Sequence, residues 1–89
     1  MSKKSGEEIS WGEVVDTLED IEIELKRALK KHRTMASSHE GYAILLEEVD
    51  ELWDEIKSQN HNRWAIRKEA IQVAAMALEI AVRFGERAP

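Results

Sequence analysis

The chain has 89 residues, no cysteine, and 18 acidic against 13 basic side chains, a formal net charge of -5. This length holds one domain, the absence of cysteine excludes disulfides and thiol chemistry, and the acidic balance argues against a nucleic-acid backbone as partner. A domain this small buries only about 60% of its unfolded surface, so a metal, a partner subunit or unusually good helix packing has to add stability.

No stretch approaches the roughly 18 apolar residues needed to cross a bilayer, and the charged N-terminus is not followed by an apolar signal core. The expectation is a soluble, unexported cytoplasmic chain with no membrane and no nucleic-acid partner. Residues 1–9 form a charged, Ser- and Gly-bearing tail, expected to be flexible, and residues 10–89 form the single domain.

From Ser10 the pattern becomes helical. Ser10 and Glu13 have capping-box spacing, and Val14, Leu18, Ile21, Leu25, Ala28 and His32 recur at alternating steps of four and three. Lys26, Arg27, Lys30, Lys31 and Arg33 crowd the last turns of this first helix, where cations oppose the helix dipole, and that reading is favoured over phosphate contact. Thr34 to Ser38 breaks the period, and Ser37 with Glu40 offers a second capping box.

The second helix runs to about Lys57, with Tyr42, Leu45, Leu46, Val49, Leu52, Trp53 and Ile56 in an arc of about 120° that is expected to face the core. After the polar turn from Ser58 to Asn62, a third helix runs to Phe84, with Asn62 as N-cap and Gly85 as C-terminal cap. It is Ala-rich and apolar around most of its circumference, so it belongs at the centre of a bundle. One chain cannot cover it. The expected architecture is therefore all-α: three main helices per chain, completed by homo-oligomerisation to a dimer or tetramer, with C2 the commonest closure.

Six carboxylates stand between Glu47 and Glu55. Like charges at this density weaken a helix unless something compensates, and the plain alternative is a solvated polar face. Glu48, Glu51 and Glu55 project as a stripe beside the apolar arc, and carboxylates at the edge of a core lose hydration unless a cation joins them. On the third helix Glu69, Gln72, Glu79 and Arg83 form a second polar strip within about 80°. Antiparallel packing through the 58–62 turn would let the two strips face each other, either as buried hydrogen bonds or as a site for a hard cation with oxygen ligands.

His32, His39 and His61 sit on separate elements, which makes a histidine metal site unlikely from spacing. Trp11, Trp53 and Trp64 supply core or interface area, Trp53 above all, while Trp64 and Tyr42 also offer stacking faces for a base.

Leu46-Glu47-Glu48-Val49-Asp50-Glu51-Leu52 resembles the Glu-Glu-x-x-Glu segment of the MazG-type nucleoside triphosphate pyrophosphohydrolases. Lys68-Glu69-Ala70-Ile71-Gln72-Val73 lies where that family has Glu-x-x-Asp, 17 residues beyond Glu51. The likeness covers residues 39–84, and Gln72-Val73-Ala74-Ala75 is similar to small phage and mobile-element members. It implies a helical bundle completed by oligomerisation that hydrolyses a nucleoside or deoxynucleoside triphosphate to monophosphate and pyrophosphate with Mg2+, or Mn2+ in its place.

Carried over residue by residue, the resemblance makes Glu48, Glu51 and Glu69 metal ligands. Gln72 stands at the family's Asp and departs from it, though its carbonyl oxygen can still coordinate a hard cation. Glu47 is the candidate base for the attacking water, and Arg63, Arg67 and Lys68 are the candidate phosphate contacts. The alternative function is a non-enzymatic helical oligomer that senses nucleotide or binds protein after losing the acid at position 72.

Overall fold

The protein, described by a computed structural model over residues 8–31 and 35–89, folds as three helices, and all regular structure among the described residues is helical. The expectations for residues 1–7 and for His32, Arg33 and Thr34 lie outside those residues. Helix α1 spans Trp11–Lys30, α2 spans Ser38–Lys57 and α3 spans Arg63–Phe84.

Each helix starts on a side-chain cap that the sequence announces. Ser10 Oγ accepts from the Glu13 amide at 3.3 Å, Ser37 Oγ from the Glu40 amide at 3.1 Å, and Asn62 Oδ1 from the Ala65 amide at 3.1 Å. Glu40 returns a bond from its own side chain, but to the amide of Ala36 at 2.6 Å rather than to that of the cap residue. Each such cap contributes about 1 kcal/mol by satisfying an amide the helix cannot pair internally. In the turn before α3, Ser58 Oγ accepts from the Asn60 amide, and His61 takes a left-handed φ of 48° to redirect the chain. At the far end Gly85 caps α3 with φ -105°, so its lack of a side chain matters for space: a Cβ there would stand 2.8 Å from the Ala81 carbonyl oxygen.

Helix α3 lies between the other two and packs on both, while α1 and α2 do not approach each other. This is the central position its all-round apolarity requires. The α2–α3 hairpin is antiparallel: Gly41 lies against Ile80, Glu48 against Gln72 and Glu51 against Glu69. Gly41 allows the closest approach, since a Cβ there would meet Ile80 Cγ1 and Met35 Sδ at 3.0 Å. Around that contact sits a small core of Met35, Ile44, Ala75 and Met76, flanked by Ile21, Leu25, Ala28, Leu45 and Ile80. Arg67 pins α1 to α3 by donating to Asp20 Oδ2 at 2.8 Å and Thr17 Oγ1 at 3.0 Å.

Two inward faces differ from the sequence expectation. On α1 the half-buried line is Val14, Thr17, Asp20, Ile21, Glu24, Leu25 and Ala28, and Leu18 is exposed. On α2 the face toward α3 is Gly41, Ile44, Leu45, Glu48, Leu52 and Glu55. Tyr42, Leu46, Val49, Trp53 and Ile56 are exposed within the chain, Trp53 to 55%, so its placement in the core is corrected. The reason is the route of approach: α3 meets α2 through Gly41, which turns the polar stripe inward and swings the larger apolar residues aside.

Those five residues recur at steps of four, three, four and three, the spacing of a helix-to-helix seam. On α3, Ala70, Ala74, Ala77 and Ala81 repeat the same steps. Helical projection puts both stripes on the side of the hairpin away from α1.

Candidate metal and nucleotide site

The opposite side of the hairpin, facing α1, is polar. Glu48 and Glu51, three residues apart on α2, meet Glu69 of α3, and each offers a carboxylate oxygen within 4.8 Å of the others. The helical period produces this: residues at i and i+3 share a face, and the antiparallel register brings Glu69 level with them. Glu48 and Glu69 are half-buried and Glu51 is exposed.

Three like charges this close need relief. Burial pushes the Glu69 carboxyl above its ordinary range; the charges of Glu51 and Glu55 and a hydrogen bond with Glu51 act the same way, and Lys68 partly opposes them. Gln72 supplies relief without charge. In the amide orientation that satisfies its neighbours, its nitrogen donates to Glu48 Oε1 at 2.9 Å and to Glu69 Oε1 at 3.3 Å, bridging the two helices. Of the sequence-predicted acids, Glu48, Glu51 and Glu69 thus come together with Gln72 beside them. Glu47 is exposed and stands outside the group.

Two hollows border Gln72 along the α1–α3 groove and share Glu24, Arg27 and Gln72 as walls. The first, of about 240 Å³, reaches from Glu48 and Gln72 to Lys31, Met35, Met76 and Glu79. The second, of about 210 Å³, is bordered by Trp64, Arg67 and Lys68. The groove therefore has an apolar and acidic end and a basic end. Lys68 and Arg67 stand at the basic end as the sequence predicts, although Arg67 is held by Asp20 and Thr17, and Lys68 Nζ lies 5.8 Å from the Trp64 ring centre. Arg63 instead borders a shallow depression around Trp64 and Ile66, away from Gln72.

Glu24 and Arg27 of α1 and its C-cap residue Lys31 line this groove; the sequence left Glu24 unmarked, and for Arg27 and Lys31 it favoured the helix dipole over phosphate contact. Arg27 is clamped by Glu24, its Nη2 lying 3.0 Å from both carboxylate oxygens. The only available signal was that Glu24, Ala28 and Lys31 fall on the same helical face as Ile21, and the dipole argument obscured it. Compared with models of known protein families, with curated proteins and with solved structures, the chain matches none.

Proposed function

We propose that the chain is a MazG-type pyrophosphohydrolase: a cytoplasmic homo-oligomer that hydrolyses a nucleoside or deoxynucleoside triphosphate to monophosphate and pyrophosphate with Mg2+. The observation that carries this reading is the convergence of Glu48, Glu51 and Glu69 from two helices within 4.8 Å, beside a groove with a basic end. Glu48, Glu51 and Glu69 would hold a hard cation through their carboxylate oxygens, the donor chemistry such an ion prefers. Mn2+ fits the same donors.

In this reading Glu48, Glu51 and Glu69 hold the metal, and Gln72 fixes the rotamers of two of them or offers its carbonyl oxygen. Mg2+ held by these carboxylates would supply charge neutralisation for the phosphate group under attack. Lys68 and Arg67 meet the polyphosphate, Arg67 on release from Asp20, and Arg63, one turn before Arg67 and bordering the same depression, is the third candidate contact. Water forms the new bond to the attacked phosphorus as the bond to the bridging oxygen breaks, and pyrophosphate leaves with that electron pair. The proton of the water passes to a carboxylate, for which Glu47 is the candidate after a change of rotamer. The oligomer rests on the uncovered stripes of α2 and α3, which a second copy would bury.

One observation favours a second reading. Because the Gln72 amide already bridges Glu48 and Glu69, the acid group is stabilised without an ion, as in a scaffold that has given up catalysis. Pyrophosphate release from a panel of NTPs and dNTPs, with and without Mg2+, separates the two. Gln72→Asp sharpens the test, since it changes the charge of the four-residue group from -3 to -4. In the enzyme it raises Mg2+ affinity with turnover retained or increased. In the scaffold, wild type is inactive and at most the variant turns over; an inactive pair that binds neither metal nor nucleotide ends the catalytic reading.

A further inference from the structure

We propose that the hollow between the last turns of α1 and the middle of α3 receives a nucleobase bearing an exocyclic amino group, and that Glu79 determines this specificity; the inference rests on the nucleotide reading above. Glu79 is the one described charged residue buried in the chain, at 5% exposure, and it lines the hollow. Its Oε2 accepts from Arg83 Nε at 2.7 Å. No described residue donates to its Oε1.

A buried carboxylate oxygen with no protein donor is costly unless water or a ligand provides one. An ionised carboxylate accepts only, so the complementary group is an N–H or O–H. The rest of the hollow specifies what carries it. Met35 and Met76, both buried, and Ala28 make an apolar lining, and thioethers pack well against aromatic edges. A volume of about 240 Å³ holds a single heterocycle but not a whole nucleotide.

The groove also sets the ligand's direction. From this hollow, Glu48 and Gln72 lead to the acid group, and Arg27 leads to the basic end with Arg67 and Lys68. A base against Glu79 therefore sends its phosphates toward the metal ligands. Adenine, cytosine and guanine each present an amino group to Oε1. Thymine and uracil present a lone ring N–H flanked by two carbonyl oxygens, which the carboxylate repels.

The test is calorimetric titration of the full chain, in Mg2+, with nonhydrolysable α,β-methylene analogues of dATP, dCTP, dGTP, dTTP and dUTP. The three amino-bearing analogues are expected to bind about tenfold to a hundredfold more tightly than the other two, the range for one buried hydrogen bond made or missed. Glu79→Gln, checked for helicity by circular dichroism, should lose most of that selectivity because an amide can offer a donor to a carbonyl as well as an acceptor. The comparison of bases on wild type decides even where the variant does not fold. Equal binding of all five analogues, selectivity unchanged in a folded Glu79→Gln, or no binding at all overturns the assignment. Selective binding of the analogues with no pyrophosphate release from the natural triphosphates would sink the enzyme and leave this pocket standing; turnover of the natural triphosphates that ignores the base would do the reverse.

Discussion

The α2–α3 hairpin has two sides built from the same helical repeat, and they face opposite problems. Toward α1 it presents acids that repel each other, a bridging amide and a groove with a charged rim. Away from α1 it presents Tyr42, Leu46, Val49, Trp53 and Ile56 with an alanine stripe beside them, largely uncovered. The acid side crowds like charges, which the proposed metal would relieve. The apolar side leaves large side chains in water, which the proposed second copy would cover. Among the described residues only four apolar side chains form the buried core, so the area removed from water within one copy is small.

Breaking the apolar side should have the largest effect. Trp53 is the biggest side chain on the seam, and a tryptophan at the centre of an interface commonly accounts for 2 kcal/mol or more of association. Trp53→Glu adds a carboxylate where the proposed oligomer has no partner for it, so a loss of about 3 kcal/mol or more per interface is expected. Sedimentation or light scattering at micromolar concentration should give at least a dimer for wild type and a monomer or unfolded chain for the variant. A wild-type chain that runs as a folded monomer removes the premise.

The acid side should respond to metal instead. Ligand at a hundredfold excess over its dissociation constant stabilises a folded protein by about 2.7 kcal/mol. Wild type should therefore show a clear rise in Tm on adding Mg2+, and Glu48→Gln or Glu51→Gln should lose most of it together with turnover. Helicity should be unchanged, since neither side chain caps a helix or belongs to the core. An equal Mg2+ response in both variants and wild type would show that these oxygens do not hold the ion.

The same contrast explains what could be read from the sequence. Caps at Ser10, Ser37 and Asn62 are local chemistry, and all three helices begin where those residues place them. The central place of α3 followed from its apolarity around most of its circumference. The meeting of Glu48, Glu51, Glu69 and Gln72 needed only period and an antiparallel turn. What failed was the rotation of α2: an arc centred on its largest apolar residues pointed Trp53 inward, whereas the contact with α3 runs through Gly41, where an added Cβ would stand 3.0 Å from Ile80 and Met35 and require them to shift. Apolar periodicity locates faces without saying whether the same chain or another covers them. The groove residues Glu24, Arg27 and Lys31 depended on how α1 lies across α3, a tertiary fact at which the helical face shared by Ile21, Glu24, Ala28 and Lys31 only hints.

The smallest expected effect tests the strain on the acid side directly, through pH. Burial and the neighbouring carboxylates raise the Glu69 carboxyl in the folded chain above its ordinary value of 4.5. Between the ordinary and the raised values the folded state binds more protons than the unfolded state, so stability falls as pH rises through that window. The contribution of protonated Glu69 is fully present below pH 4.5 and lost once the folded carboxyl ionises. In Glu69→Gln this term is absent, so without Mg2+ the variant should gain stability relative to wild type as pH rises toward neutrality, and the gain should disappear on acidification. Taking the difference between two otherwise identical chains largely cancels the other titrating groups, which urea denaturation from pH 4 to 7 can exploit. Mg2+ should reverse the order at neutral pH by favouring the ionised carboxylate that only wild type possesses. A stability difference independent of both pH and Mg2+ would mean that Glu69 is a solvated side chain, and the acid group would then be geometry without electrostatic coupling.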